Sequence, residues 1–260
     1  MNTLFDPTQA AAILAEAWRS GALLKELPEA VRPRTMSEGY DIQDSLIAQM
    51  GLSSVGWKLG IGSHAQKRDF GVGRSVAGRI PTNALYRHGE TVELPNAAPV
   101  TVEFEIAYVL GRDILPGEAD FPILTAVSDT RVTFELVLSR FIDRRSVGWP
   151  SFAADNGACQ AVVLGDVISQ ADIPALVEGL VVFVDGEEKA RALTGDDVTD
   201  PVAAFADLVA IARERQMVLP KGSLISTGTV SKPFNVVART AEITARFLGR
   251  ELSIRTQSPD

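Results

Sequence analysis

The chain has 260 residues, of which 46% are hydrophobic and 22% charged, and its formal net charge is −8 at pH 7. The acidic excess and the lack of a basic run argue against nucleic-acid binding, which needs a clustered positive surface. Cys159 is the single cysteine, so no disulfide can form within the chain. No apolar stretch approaches the ~18 residues of a membrane span, and the first residues lack the basic segment and apolar core of a signal peptide. We therefore expect a cytoplasmic protein.

The N-terminal segment predicts a small helical part. Asp6-Pro7 is typical of a helix start, and the alanine-rich stretch that follows ends at Gly21. A second helix is predicted over 37–51, because its apolar residues recur at helical spacing. We expect residues 1–53 to form this helical part and residues 54–260 to form a catalytic body.

Strand patterns dominate the body. Strands are predicted at 54–61, 102–110, 224–228 and 241–248, with a hairpin at 181–189 that turns at Asp185-Gly186. Helices are predicted at 64–71, near 121–129 and after Asp200-Pro201, and the segment 134–142 fits either a strand or a helix. The helices do not alternate regularly with the strands, so we predict an α+β fold with a mixed, barrel-like body and not a doubly wound sheet.

Glu103 and Glu105 lie two residues apart on the clearest predicted strand, so their side chains share one face. Two such charges repel each other, and each loses hydration if it is buried. A divalent cation that prefers oxygen ligands, such as Mg²⁺ or Mn²⁺, offsets both effects. A strand whose second face is open to water explains the same spacing without a metal, and taken alone it is the commoner case.

Further polar residues are candidates for the same site. Lys58 stands between glycines on an otherwise apolar predicted strand, where it can be half buried and available for proton transfer or carboxylate binding. Glu135 offers a third carboxylate. Ser139 and Arg140 follow it, and an arginine there can bind a substrate carboxylate with both arms of its fork. Asp155 lies in a segment typical of a tight turn. Taken singly, each is more simply explained as a solvated, ion-paired or turn residue.

In their order along the chain these motifs resemble a known family. They are Gly-x-Lys-x-Gly at 56–60, Glu-x-Glu-Ile-Ala-x-Val-Leu at 103–110, Glu-x-Val-x-Ser-Arg at 135–140, Ala-Asp-Asn at 154–156 and Ser-Thr-Gly at 226–228. The set is similar to the hydratase/decarboxylase family of aromatic meta-cleavage pathways, within the fumarylacetoacetate hydrolase superfamily. Its members include 2-hydroxypenta-2,4-dienoate (2-oxopent-4-enoate) hydratase and 4-oxalocrotonate decarboxylase. The resemblance extends from about Tyr40 to Phe247.

The resemblance implies a mixed β-roll and a metal-dependent lyase. The implied metal is Mg²⁺ or Mn²⁺, held by Glu103, Glu105 and Glu135. The implied catalytic residues are Lys58 and Asp155, and the implied substrate contacts are Ser139, Arg140 and Thr227. The metal would chelate the 2-oxo group and carboxylate of a small 2-oxo acid and stabilise its enolate.

Hydration of a 2-oxopent-4-enoate-like acid in aromatic catabolism is the leading implied reaction. Decarboxylation of the 4-oxalocrotonate type, or C–C bond hydrolysis of a related acid, is the alternative. Similar proteins form homo-oligomers, so we expect one here, with a pathway partner as a further alternative.

Two positions depart from the family's hydratases. An acidic residue is expected where Val76 stands, and a serine where Ala158 stands. Both changes remove polar groups near the expected site. They leave two further interpretations open: a weakly active relative that binds a 2-oxo acid or serves as a partner subunit, and a metal-free binding protein.

Overall fold

The computed structural model describes residues 5–237 and 239–259, so the prediction about the first residues falls partly outside the described chain. The α-helices are α1 (Thr8–Ser20), α2 (Met36–Gln49), α3 (His64–Phe70), α4 (Trp149–Ala154), α5 (Ile173–Gly179) and α6 (Pro201–Glu214). The strands are β1 (Ser54–Gly60), β2 (Val76–Pro81), β3 (Leu85–Arg87), β4 (Thr91–Glu93), β5 (Val100–Leu110), β6 (Val127–Val137), β7 (Cys159–Ile168), β8 (Val181–Val184), β9 (Glu187–Arg191), β10 (Leu224–Thr229), β11 (Phe234–Val236), β12 (Thr240–Phe247) and β13 (Arg250–Gln257). Within these ranges no helix is both long and apolar enough to cross a membrane.

Two sheets make up the body. Across the described residues, the larger sheet has eight strands in the order β2-β1-β10-β5-β6-β7-β3, with β11 paired to β5, and the smaller has five in the order β4-β13-β12-β8-β9. β1 runs parallel to β10, whereas β5 is antiparallel to both β10 and β6. The sheets share an apolar core in which Phe104 contacts Phe134 of its own sheet and Phe247 of the other. The predicted mixed α+β class is confirmed.

Three helices begin where local capping signals indicate. Thr35 and Glu38 form a capping box at the start of α2, and Ser63 and Gln66 form another at the start of α3. Asp200 accepts hydrogen bonds from two backbone N–H groups in the first turn of α6. These interactions satisfy amide groups that have no partner within the helix, and they fix the residue at which each helix begins.

The helix predicted near 121–129 is wrong. A short 3₁₀ turn occupies Ile123–Ala126, and β6 begins at Val127. The long antiparallel ladder with β5 satisfies the backbone of this segment, and it overrides the weak local helical pattern. The segment 134–142, left open from the sequence, is strand up to Val137 and loop beyond it. The elements α4, α5, β7 and β13 were not anticipated.

The two N-terminal helices cover one side of the loop between β6 and α4 (residues 138–148), here called the β6–α4 loop. A buried apolar cluster joins both helices to Phe141 of this loop. Leu24, just beyond α1, donates its N–H to the carbonyl of Arg140 at 2.8 Å, and its own carbonyl accepts from Ile142 N at 2.9 Å. The N-terminal segment therefore holds the β6–α4 loop through both apolar packing and backbone pairing.

Candidate metal centre

Three carboxylates meet on one face of the larger sheet, where β5 and β6 pair. The register places Glu103 directly opposite Glu135, and Glu105 lies two residues along β5, so its side chain is on the same face. One carboxylate oxygen of each residue lies within 4.8 Å of the others. Glu105 and Glu135 are fully buried, and Glu103 keeps part of its surface exposed. Two of the three carboxylates are therefore shielded from water, and a fully solvated strand face does not explain the Glu-x-Glu spacing.

The oxygens of this cluster fit a divalent cation. Among the described residues, no hydrogen-bond donor reaches Glu105 Oε1 or Glu135 Oε2, although both atoms are buried. The other oxygen of Glu105 accepts from Ser226 Oγ at 2.6 Å and from Gly228 N at 3.0 Å. Buried polar atoms without partners cost free energy. Mg²⁺ or Mn²⁺ prefers oxygen ligands and would supply the missing partner.

The carboxylates disfavour one another's ionisation. Burial raises the pKa of Glu103 to about 7, and the charge of Glu135 adds to that rise. Lys58 and Arg144 oppose it in part. Burial likewise raises the pKa of Glu105 well above its ordinary value, with the other two carboxylates contributing. A cation that binds here must therefore displace protons, so metal binding is linked to pH.

We expect the metal-free protein to lose stability between about pH 5.5 and about pH 8. The folded-state pKa of Glu103, about 7, lies above its ordinary value of 4.5. Its contribution to the free energy of unfolding is therefore fully present below pH 4.5 and is lost as the pH rises through about 7. Each pKa unit corresponds to about 1.4 kcal/mol, and solvent contact at Glu103 reduces the effect. We expect a loss of ~2 kcal/mol from this residue.

Melting temperatures in EDTA at the two pH values measure this loss. Mg²⁺ should cancel or reverse it, because a bound cation favours the charged carboxylates. Glu103→Gln is the matched control: it cannot titrate, so the metal-free profile should become flatter. A wild-type melting temperature that rises over the same interval in EDTA would contradict the raised pKa.

Lys58 is a buried ammonium group beside the carboxylates. Its Nζ lies 2.9 Å from Glu135 Oε1 and 5.7 Å from the centre of the Phe152 ring. The parallel pairing of β1 with β10 places it next to Ser226, whose hydroxyl binds Glu105. Burial acts to lower the pKa of Lys58, but the charge of Glu135 and smaller contributions outweigh it, and the net shift is upward. The side chain therefore carries its proton at neutral pH.

A left-handed turn forms one wall around Lys58. Residues 156–158 all have positive φ, which is strained for any residue but glycine. Asn156 stabilises the turn, because its Oδ1 accepts from Arg79 N at 2.6 Å and its Nδ2 donates to Arg79 O at 2.9 Å. A Cβ at Gly157 would lie 3.2 Å from Lys58 Cε. The Ala-Asp-Asn segment thus forms a tight turn, as its composition predicted, and its glycine leaves room for the lysine.

Ser139, Arg140 and Asp155 form a separate buried network. Asp155 accepts from the Ser139 hydroxyl at 2.7 Å and from Arg140 N at 3.1 Å, and it also pairs with the Arg140 guanidinium. Arg140 donates to Leu138 O at 3.1 Å, and its guanidinium stacks 4.3 Å from the Trp18 ring. The structure therefore gives Arg140 a protein carboxylate as partner, in place of the substrate carboxylate expected from the sequence.

Thr227 and the two departing positions supply no free polar group to the cluster. Thr227 Oγ1 donates to Ile106 O at 2.7 Å. Val76 is buried in the ladder between β1 and β2, where it pairs with Gly60, and Ala158 is fully buried. Both side chains are apolar and buried, so neither offers a polar group to the cluster.

A cavity of about 560 Å³ opens onto the cluster. Of the residues predicted from the sequence, those that line it are Lys58, Glu103 and Ser139. Arg144 and Arg145 of the β6–α4 loop also line it, and they were not anticipated. Arg144 Nη2 donates to Thr101 Oγ1 at 3.2 Å. In the sequence, the feature that could have pointed to these two residues is that they are adjacent arginines shortly after the Glu-x-Val-x-Ser-Arg motif, in a segment with no clear secondary structure.

The sequence of this chain is similar to known proteins over most of its length. The family model for the C-terminal part of fumarylacetoacetate (FAA) hydrolase matches residues 73–250. A 4-oxalocrotonate decarboxylase from a Pseudomonas species is 27% identical over 201 residues, which cover 76% of this chain and 77% of the relative. A 2-keto-4-pentenoate hydratase from Paraburkholderia phymatum is 28% identical over 244 residues, which cover 92% of each protein.

A solved structure has the same fold over its whole length. The 4-oxalocrotonate decarboxylase from Pseudomonas putida, complexed with magnesium and adipate, superimposes with a TM-score of 0.84 at 21% identity, and the match covers 100% of this chain and 99% of that one. The family model covers well over half of the chain and includes all three clustered glutamates. The chain belongs to the fumarylacetoacetate (FAA) hydrolase family.

Proposed function

We propose that this protein is a divalent-metal-dependent lyase that acts on a small 2-oxo acid. The observation that carries the proposal is the buried cluster of Glu103, Glu105 and Glu135, whose unpaired oxygens lie next to a protonated lysine at a cavity. The relatives named as 4-oxalocrotonate decarboxylase and 2-keto-4-pentenoate hydratase support it, because both names describe lyase reactions of unsaturated 2-oxo acids. The structural neighbour that holds magnesium supports the choice of metal.

The proposed roles follow from the contacts. Mg²⁺ or Mn²⁺, held by the three glutamates, would supply a Lewis acid that stabilises negative charge on the 2-oxo group. Lys58 holds a proton on Nζ beside Glu135, so in its resting state it donates a hydrogen bond or a proton to an enolate and does not act as a base. Ser226 and Gly228 fix one oxygen of Glu105 and leave the other for the cation.

For Ser139, Arg140 and Asp155 we propose a positioning role instead of the direct roles that the resemblance implied. Their polar groups bind one another, and this network fixes the start of the β6–α4 loop. Thr227 has a similar role, because its hydroxyl joins β10 to β5 through Ile106 O.

Hydration and decarboxylation are the two candidate reactions within this proposal. Both pass through an enolate, so the same stabilisation serves both. Hydration was the leading prediction from the sequence, and it also needs groups that handle the protons of water. Val76 and Ala158 supply none. One observation favours decarboxylation: Arg144 and Arg145 on the cavity wall suit a substrate with a second carboxylate.

Product analysis with the metal-loaded protein tests the proposal. A 2-oxopent-4-enoate-type acid and a 4-oxalocrotonate-type acid are incubated separately, and products are followed by NMR and carbon dioxide release. We expect at least one to be converted, with turnover lost in EDTA and restored by Mg²⁺ or Mn²⁺. Absence of turnover by protein with bound metal would contradict the proposal and favour the weakly active relative. Turnover that survives EDTA would contradict the metal's role.

Three further predictions from the sequence are retained as proposals. They are a homo-oligomer, with or without a pathway partner, a boundary between a helical part over 1–53 and a body over 54–260, and a cytoplasmic role in aromatic catabolism. The shared apolar cluster of α1 and α2 supports the helical part.

A further inference from the structure

We propose that Thr133 is a positioning residue of the metal centre. Through the Ser226 hydroxyl it holds Glu105 as a ligand that offers a single oxygen, and this arrangement favours Mg²⁺ over Ca²⁺. The role assumes the proposed function, in which the three glutamates hold a divalent cation. Three features carry it: the place of Thr133 in the sheet, the direction of its hydrogen bond, and the oxygen of Glu105 that remains for a cation.

Thr133 and Ser226 lie on the two strands that flank Glu105. The register places Thr133 of β6 directly opposite Glu105. Ser226 of β10 is opposite Ala107, which follows Glu105 on the same face of β5. Ala107 carries only a methyl group and leaves room above the strand, and Thr133 Oγ1 lies 2.6 Å from Ser226 Oγ. Both hydroxyl residues are fully buried, so their hydroxyl groups meet across β5 away from water.

The hydrogen bond between the two hydroxyls has a defined direction. A serine hydroxyl has one proton to donate, whereas an ionised carboxylate can only accept. Ser226 Oγ lies 2.6 Å from Glu105 Oε2, so its proton points to Glu105 when that residue is the charged ligand of a cation. Thr133 must then donate to the oxygen of Ser226. The chain runs from Thr133 to Ser226 to Glu105, and successive hydrogen bonds of this kind strengthen one another.

This chain decides which oxygen of Glu105 remains for a cation. Oε2 accepts from Ser226 Oγ and also from Gly228 N at 3.0 Å. Oε1 is buried, and no donor within residues 5–237 and 239–259 reaches it. Mg²⁺ needs near-octahedral geometry with short bonds of ~2.1 Å, for which one carboxylate oxygen is suitable. Ca²⁺ accepts up to ~8 oxygens and often takes both from one carboxylate. Two donors on Oε2 therefore disfavour the binding mode that Ca²⁺ can use.

Calorimetric titration of the metal-free protein with Mg²⁺ and with Ca²⁺ tests this role. The two cations have the same charge, so a change in their affinity ratio reports coordination. Thr133→Val keeps the side-chain shape and removes the hydroxyl. We expect its Mg²⁺ affinity to fall about tenfold, at the low end for residues that support a metal ligand. Its Ca²⁺ affinity should stay within about twofold, because a less firmly held Oε2 can turn toward the larger ion.

A double variant distinguishes action through Ser226 from a general packing effect. Ser226→Ala should lower the Mg²⁺ affinity by about 10–100-fold. Adding Thr133→Val to Ser226→Ala should lower it by no more than about a further twofold, since residues that act in one chain are not additive. Thr133→Ser retains the hydroxyl and should stay within about twofold of the wild type.

Thr130→Val is the matched control. Thr130 is also buried on β6, but it lies three residues earlier, so its side chain is on the other face of the strand. This variant should change neither affinity. Thr133→Ala replaces Thr133→Val if the valine variant does not fold.

Three results would overturn the role of Thr133 while leaving the proposed function intact. The first is wild-type Mg²⁺ affinity in Thr133→Val. The second is an equal loss of affinity for both cations, which general disorder of the site would give. The third is a double variant in which the two losses multiply in full, because Thr133 would then act independently of Ser226. Failure of the wild type to bind either cation would contradict the proposed function itself.

Discussion

Glu105→Gln should abolish metal binding and, at the same time, make the metal-free protein more stable. The amide oxygen of Gln can still accept from Ser226 Oγ and Gly228 N, so the local structure is retained. The charge that a cation needs is gone. Changes in residues that merely support a ligand cost about 10–100-fold in metal affinity, so loss of a ligand carboxylate should cost more than ~100-fold.

The gain in metal-free stability follows from the environment of Glu105. Its carboxylate is fully buried beside two others, and burial raises its pKa well above the ordinary value. Because a raised folded-state pKa lowers stability near neutral pH, replacing this carboxyl group by a neutral amide should raise the free energy of unfolding by on the order of 1–2 kcal/mol. Turnover should be lost with the metal.

Calorimetric Mn²⁺ titration and melting curves in EDTA measure the two effects together. Glu242→Gln, an exposed position on β12, is the matched control and should change neither. Wild-type metal affinity in Glu105→Gln would remove Glu105 from the metal centre. If Glu105→Gln is instead less stable than the wild type in EDTA, the Glu105 carboxylate must have a stabilising partner outside the carboxylate cluster.

Lys58→Met should leave the metal bound but reduce kcat by ~100-fold or more, the usual contribution of a positioned proton donor. Methionine is of similar length and fits the space beside Gly157, but it lacks the charge that lies 5.7 Å from the Phe152 ring, so the effect should come from the missing ammonium. The metal-free variant should lose ~3 kcal/mol of stability, because Glu135 is then a buried charge without its partner. Bound Mg²⁺ should restore most of that loss.

Steady-state kinetics as a function of pH distinguish a proton donor from a purely structural lysine. We expect kcat to fall much more than KM rises, and the alkaline limb of the kcat profile to disappear in the variant. Lys189→Met, on the exposed hairpin strand β9, is the matched control and should behave like wild type. Wild-type kcat in Lys58→Met would exclude the proposed role.

Local patterns were enough to predict the parts of the fold that depend on neighbouring residues. The Asp200 cap of α6 and the Asp185-Gly186 hairpin turn are read from two or three residues each, and both occur as predicted. Alternation on β5 placed Glu103 and Glu105 on one face. Their burial could not be read in this way, because it depends on strands that lie far away in sequence.

The interactions of the charged residues were harder to predict. Lys58 and Glu135 lie on strands that are separated in the sheet by β10 and β5, and nothing in either segment specifies that their side chains meet. Arg140 can bind a substrate or a protein carboxylate equally well by chemistry, and only the turn that carries Asp155 decides between them. Arg144 was overlooked because a loop residue has no periodic pattern that assigns its side chain to a face.

The parallel pairing of β1 with β10 also has a consequence for the order of folding. Gly56 permits this pairing, because a Cβ there would lie 1.8 Å from the Leu224 carbonyl oxygen. During synthesis β1 leaves the ribosome long before β10 exists, and such long-range pairing is slow to form. We therefore expect Lys58 and the carboxylates to come together late in folding. A nascent or truncated chain that ends before β10 contains all three glutamates, yet it lacks the strand that holds Lys58 beside them.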